Sequence, residues 1–394
     1  MVGTALDRMT TEVAGTKGAL FSLVFKTTAL TILTLGVYSF WARTRVRRWL
    51  WSSLRIGGAP MEYVGQPLEK LMGFVFAAVI VAVYLGLVVM VLIFASLNLF
   101  ETPEYGFYAA IVLLAPVYWF AQYRGLRYLL NHTRWRGIGF SLGPGAWGYV
   151  WRAALWMVLS IVSVGLAWPL RTLILWKYRA ARAFYGDDHF RLEAPLAKLY
   201  GAAVPLICGL WLSLAVVYAG ATRSEDSLWM LPIPLAVMVF GWIYWKVNSF
   251  RILASGLGYG GAAGLRLFPK TGTVIGIHLG GWVLVGLILF VALIALLIST
   301  GVLVANTILN DLEAQLTDAP VYLLIGLGVL TYLTLFLGRS ALRLVFVTFP
   351  LIRHVGETLQ ITGAAEVNAV RQGERHHMHD ADGFANLFDL GSGI

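Results

Sequence analysis

The sequence predicts a membrane all-α protein with small cytosolic β elements: about six transmembrane helices, two cytosolic-side re-entrant or interfacial helical hairpins, and internal repeats. Three observations carry this expectation. The 394-residue chain is 59% hydrophobic and 13% charged, about half the charged content of a soluble domain. Its apolar residues gather in runs close to or beyond the roughly 20 residues a bilayer crossing needs. Its cations and acids are sorted into different loops.

The spans are Leu71–Leu97, Tyr105–Tyr123, Leu196–Ala221, Trp229–Tyr244, Val274–Ile298 and Val321–Phe336. Lys/Arg bias beside span ends sets orientation. Segments 43–55, 124–136, 171–198, 246–270 and the chain beyond Arg339 are basic and are expected in the cytosol. The surroundings of Glu101 and Glu104, of Glu225 and Asp226, and of Asp311, Glu313 and Asp318 are acidic and are expected outside. Both termini then face the cytosol. The start of the chain lacks a cationic region followed by an apolar core, so no removable signal peptide is expected. The single cysteine, Cys208, can form no internal disulfide.

Two further apolar stretches, Leu20–Val37 and Tyr149–Leu166, predict the hairpins. Crossing would put basic residues outside, since the second is flanked by Arg134 and Arg136 on one side and Lys177, Arg179 and Arg182 on the other. Gly36 and Gly165 come late in each stretch, where glycine permits a turn. The alternative is eight spans with the N-terminus outside.

The repeats emerge when Phe40-Trp41-Ala42 is set on Trp119-Phe120-Ala121. That offset of 79 pairs Arg45 with Arg124, Arg48 with Arg127, Arg55 with Arg134 and Gly58 with Gly137. A third copy holds Gly186 in the glycine position, a fourth runs through "YWKVNSFRILASGLGYGG", and "FPLIRHVGETLQITG" is a degraded fifth. Each copy reads as an aromatic helix end, a basic turn or two, then a short alternating run around glycine, the pattern of a β-hairpin. The chain divides accordingly into a polar tail (1–18), repeat 1 with its helical hairpin and β element (19–66), a transmembrane pair with the repeat 2 β element (67–145), the hairpin and β element of repeat 3 (146–195), a transmembrane pair with repeat 4 (196–270), the last pair with the degraded repeat 5 (271–363), and a cytosolic tail (364–394).

Function is read first from "FWARTRVRRWLW", Phe40–Trp51, which carries four arginines and no acid. A segment repeated at successive helix exits reads as an anchor. Tryptophan favours the headgroup level, and each cation beside an anionic leaflet adds about 1 kcal/mol. The residues expected to bind lipid headgroups or other anions are Lys26, Arg43, Arg45, Arg47, Arg48, Arg124, Arg127, Lys246, Arg251, Arg339 and Arg343. Gly272, Gly276 and Gly280, spaced by four, are expected to let helices approach closely. His376, His377 and His379 are the most metal-like group, but adjacent histidines in a polar tail read as solvated, so no metal and no cofactor are expected. A nucleic-acid role would need a water-facing domain around the arginines, and none is read here.

Enzyme chemistry finds few carriers. All twenty acids lie in loops, tails or span ends, whereas a reaction inside a membrane retains ionisable groups at mid-depth. The HEXXH motif and a P-loop are absent, and "GLGYGG" (256–261) follows a helix end where a nucleotide loop would follow a strand.

The segments "LTLGVYSFWARTRVRRWLWSSLRIGG" (Leu33–Gly58), "TRWRGIGFSLGPGAWGYVWRA" (Thr133–Ala153), "YGDDHFRL" (Tyr185–Leu192) and "DGFANLFDLG" (Asp382–Gly391) resemble the YjgN-like family of bacterial inner-membrane proteins. The resemblance covers most of the chain. It implies a polytopic inner-membrane protein and implies no reaction. Taken together, the expectation is a non-enzymatic scaffold or accessory subunit whose partners are anionic membrane lipids and a second membrane protein. The alternative is a transporter or lipid-handling protein for an anionic lipid or small solute.

Overall fold

A computed structural model describes residues 8–222, 225–261, 263–310 and 319–371. Among them, six helices are long and apolar enough to cross a membrane: Val81–Phe100, Glu104–Asn131, Leu196–Thr222, Asp226–Ser255, Thr271–Ser299 and Ile325–Glu357. They follow the six runs read from the sequence. The architecture around them does not follow the expected all-α class with small separate β elements.

Ten strands close into a single antiparallel barrel. They are β1 (Arg8–Val13), β2 (Leu54–Ile56), β3 (Ala59–Tyr63), β4 (Thr133–Trp135), β5 (Ile138–Leu142), β6 (Ala183–Tyr185), β7 (Asp188–Leu192), β8 (Leu257–Tyr259), β9 (Ala263–Leu267) and β10 (Leu359–Thr362). An isolated hairpin of such strands is marginal in water and leaves two open edges. Closure pairs every edge, which is why the hairpins gather although helices separate them in sequence.

The barrel is five hairpins. Four are contiguous in sequence, and the fifth joins β10 to β1, so residues near the start of the chain supply a strand where a polar tail was expected. The register repeats around the circle: Val13 faces Leu54, Tyr63 faces Thr133, Leu142 faces Ala183, Leu192 faces Leu257, and Leu267 faces Leu359. At each junction the next backbone N–H donates to the residue before the strand: Ala14 to Ser53, Val64 to His132, Gly143 to Arg182, Glu193 to Gly256 and Phe268 to Thr358. The strand boundaries also make Gly186 the equivalent of Gly57, one residue from the match with Gly58 read in the sequence.

Alternation sorts the faces. Met9, Ile56, Trp135, Tyr185, Tyr259 and Ala263 fill the interior, while Arg8, Thr10, Glu12, Arg55, Glu62, Ser141, Arg191 and Arg266 are exposed. A membrane barrel needs an apolar outer band and strands of about 9–11 residues. These strands have 3 to 6, so the barrel belongs in water. Ten strands enclose more space than the eight that side chains alone fill comfortably. Helix α12 (Ala364–Ala369) supplies the extra filling by placing Ala364 and Val367 in the same core.

The remaining helices are α1 (Lys17–Leu33), α2 (Ser39–Ser53), α3 (Pro67–Phe100), α4 (Glu104–Asn131), α5 (Ala146–Val162), α6 (Trp168–Ala180), α7 (Leu196–Thr222), α8 (Pro232–Ser255), α9 (Thr271–Asn310), α10 (Ala319–Arg343) and α11 (Phe349–Glu357). Helices α1–α2 and α5–α6 fold back through matching turns. Leu35 and Gly36 take φ of 49° and 96°, Val164 and Gly165 take 47° and 88°. The Gly36 N–H donates to Thr31 O and the Gly165 N–H to Ser160 O.

Candidate membrane-interface site

Each hairpin of the barrel is entered by a helix, and the entry is basic every time. Six residues before the first residue of β2, β4, β6, β8 and β10 stand Arg48, Arg127, Lys177, Arg251 and Arg353. Five equivalent positions thus carry five cations just above the barrel. Three of them were expected as anion ligands from sequence; Lys177 and Arg353 were missed because only the strand register aligns them. Arg48 donates to Gly65 O at 3.0 Å, and Arg353 pairs with Glu357 at 3.0 Å.

A second tier lies nine to twelve residues before the strands: Arg45 and Arg124 at nine, Arg43 and Lys246 at eleven, Arg171 at twelve. At 1.5 Å rise per residue that level is about 14–18 Å from the barrel. Aromatic rings accompany it. The Arg45 guanidinium lies 5.7 Å from the Tyr38 ring, that of Arg124 6.0 Å from Phe120, that of Arg171 5.2 Å from Trp168, and Lys246 Nζ 4.9 Å from Trp242. Arg339 and Arg343 both lie over Trp282, at 5.4 and 5.8 Å. Cations on ring faces beside a tryptophan belt are suited to the headgroup layer.

The other expected residues are dispersed. Lys26 is exposed on α1, and Arg47 lies 6.0 Å from the Tyr63 ring. Within the first tier, Arg127 is only 6% exposed. A cation that sequence reading passed over, Lys70 at the start of α3, is 3% exposed, its Nζ between the rings of Tyr63 (4.8 Å) and Tyr128 (5.0 Å). Beside it, burial holds the His132 imidazole below its usual range.

A Cβ added at Gly272, Gly276 or Gly280 would meet nothing within 4 Å among the described residues. Close approaches occur at Gly106 against Leu92 of α3, and at Gly209 and Gly241 between α7 and α8, where a Cβ would come within 2.4–2.6 Å of backbone, and at Gly281, where it would lie 2.7 Å from Phe346 O. His376, His377 and His379 lie outside the described residues. Among the described residues, no group of three or more His, Cys, Asp or Glu side chains could hold a metal ion.

Between α6, α7 and α8 is a cleft of about 470 Å³, lined by apolar side chains that include Trp168, Leu206, Leu210, Met238 and Trp242. The turn glycine Gly165 lies at its wall.

No solved structure matches the chain. The inner membrane protein YjgN of Salmonella typhimurium is 27% identical over 163 residues, and that of Escherichia coli K12 is 24% identical over 163 residues. In both cases the match spans 38% of the relative's length. Relatives named for the inner membrane, together with six helices of crossing length, make this a bacterial inner-membrane protein. The model of a family described as "Bacterial protein of unknown function (DUF898)" matches residues 9–386. The chain belongs to that family.

Proposed function

We propose that the protein is a non-enzymatic membrane scaffold or accessory subunit, which displays a cytosolic barrel to a protein partner and is anchored by its tiers of cations on anionic headgroups. The observation that carries this reading is the barrel itself, with its interior filled and capped and its outer face polar. A filled barrel offers partners a surface and leaves no lumen for a solute. Ten strand-to-helix joints tie it to the membrane segments, so its distance from the bilayer is fixed.

Loop charge supports the cytosolic side. The basic entry helices are the ones that lead into the barrel, and basic segments stay inside.

The test is photo-crosslinking in cells from Ser141, Arg191 and Arg266, which occupy equivalent outward positions one residue before the ends of β5, β7 and β9. A discrete adduct with a second protein from at least one position is the expected result. Absence of protein adducts from all three would overturn the docking role. The cleft between α6, α7 and α8 favours a second reading, lipid handling.

A further inference from the structure

We infer that the cleft between α6, α7 and α8 seats an acyl chain of one anionic phospholipid, with the headgroup at its barrel-facing rim beside Lys246 and Arg171.

The volume, about 470 Å³, lies within the range of ligand pockets, roughly 300–1,000 Å³. Water would gain little in a slot lined by apolar side chains, because a buried water needs two to four polar partners. Hydrocarbon meets no such penalty.

The rim supplies the headgroup chemistry. Trp168 and Trp242 both line the cleft and meet at a tilt of 54° with ring centroids 6.2 Å apart. One helical turn nearer the barrel, on the same face of each helix, stand Arg171 (three residues on) and Lys246 (four residues on). Their cationic groups lie 5.2 and 4.9 Å from those two rings. The order is therefore hydrocarbon slot, indole pair, cations, which is the polarity order of a phospholipid read from its tail. It also runs in the direction that puts the headgroup at the tier of cations about 14–18 Å from the barrel.

Two buried donors point the same way. Among the described residues, the indole N–H of Trp168 and Nε of Arg171, whose guanidinium also lies 6.0 Å from the Trp119 ring, have no hydrogen-bond partner. Such groups are costly to leave unmet, and phosphate or ester-carbonyl oxygens accept both.

This inference does not rest on the docking role: that role is decided by protein adducts on the barrel, whereas the seat is decided by retained lipid. The full-length protein is placed in nanodiscs of phosphatidylglycerol and phosphatidylethanolamine in equal parts, and released protein is weighed by native mass spectrometry. Wild type is expected to retain one phosphatidylglycerol. Leu210→Trp, which fills the slot, should abolish retention with unchanged melting. Lys246→Gln, at an exposed position, should cut the preference for the anionic lipid about fivefold. Equal retention of the two lipids by wild type overturns the inference. So does an undiminished preference in Lys246→Gln, which decides the matter even where Leu210→Trp fails to fold.

Discussion

Glu366 clamps the turn that leads into Ala263: its two carboxylate oxygens accept the backbone N–H groups of Gly261 and Ala263 at 2.6 Å each. This single side chain fastens α12 over the mouth of the barrel, which Arg136 also does from another hairpin by donating to Asn368 Oδ1.

Glu366→Ala should loosen that cap. Hydrogen bonds to a charged group contribute about 1.5–3 kcal/mol, so a loss of that size in stability is expected. Hydrogen exchange should quicken at Gly261 and Ala263 while β4 and β5 stay protected; unchanged exchange at those two amides would sink the account.

Inside the barrel, side chains at equivalent positions pass hydrogen bonds from one hairpin to the next. Trp135 Nε1 donates to Ala59 O, Tyr185 to Trp135 O, and Tyr259 to Tyr185 O. Burial pushes the Tyr185 phenol up to about 12, so it remains a donor at neutral pH. Tyr259→Phe should cost about 1 kcal/mol by removing one buried hydrogen bond, and Trp135→Ala about 3–5 kcal/mol through the cavity it opens. Chemical or thermal melts of the two variants side by side would test the ranking.

The pairing of β1 with β10 can be trapped covalently. Thr10 and Gln360 are direct partners, and the Cα separation of facing residues in an antiparallel pair, about 4.5–5.5 Å, suits a disulfide. In a Cys208→Ser background, Thr10→Cys with Gln360→Cys should oxidise to an intrachain ring that migrates anomalously in denaturing gels. Thr10→Cys with Ser141→Cys should not.

Stability should fall in mild acid through His132. Burial first of all, with the charges of Lys70 and Arg134 acting in the same sense, holds its folded pKa below the unfolded value, against its hydrogen bond to Tyr128 O and the charge of Glu69. The unfolded chain therefore binds the proton more readily. The neutral ring's contribution is complete above about pH 6.5 and is lost as the pH drops from there toward the folded value. His132→Gln should flatten that part of the profile, as melts at pH 7.5 and 5.5 would reveal.

Much of the membrane part was legible because long apolar runs and glycine-broken hairpins leave a strong local signal. Gly36 and Gly165 were read as turns, and both carry positive φ. The barrel was not legible as a barrel. Strands of three to six residues are too short to announce themselves, and closure depends on pairings such as Met9 with Ile361 that no local pattern encodes. The alternation in Arg8–Val13, with Met9, Thr11 and Val13 buried, was present but lay in a stretch read as a polar tail. Lys70 escaped notice for the opposite reason, since a charge beside a span suggests solvent, and its two-tyrosine enclosure exists only in three dimensions.

The seam between β1 and β10 also sets a timetable for synthesis. The first strand leaves the ribosome with its partner some 350 residues away, and at 5–20 residues per second that is roughly 20–70 s of waiting. Throughout that interval the growing sheet holds an open edge while helices are being inserted. The circle can be completed only after every helix that precedes β10 has been made, so the last hairpin to form is the one that joins the two ends of the strand order.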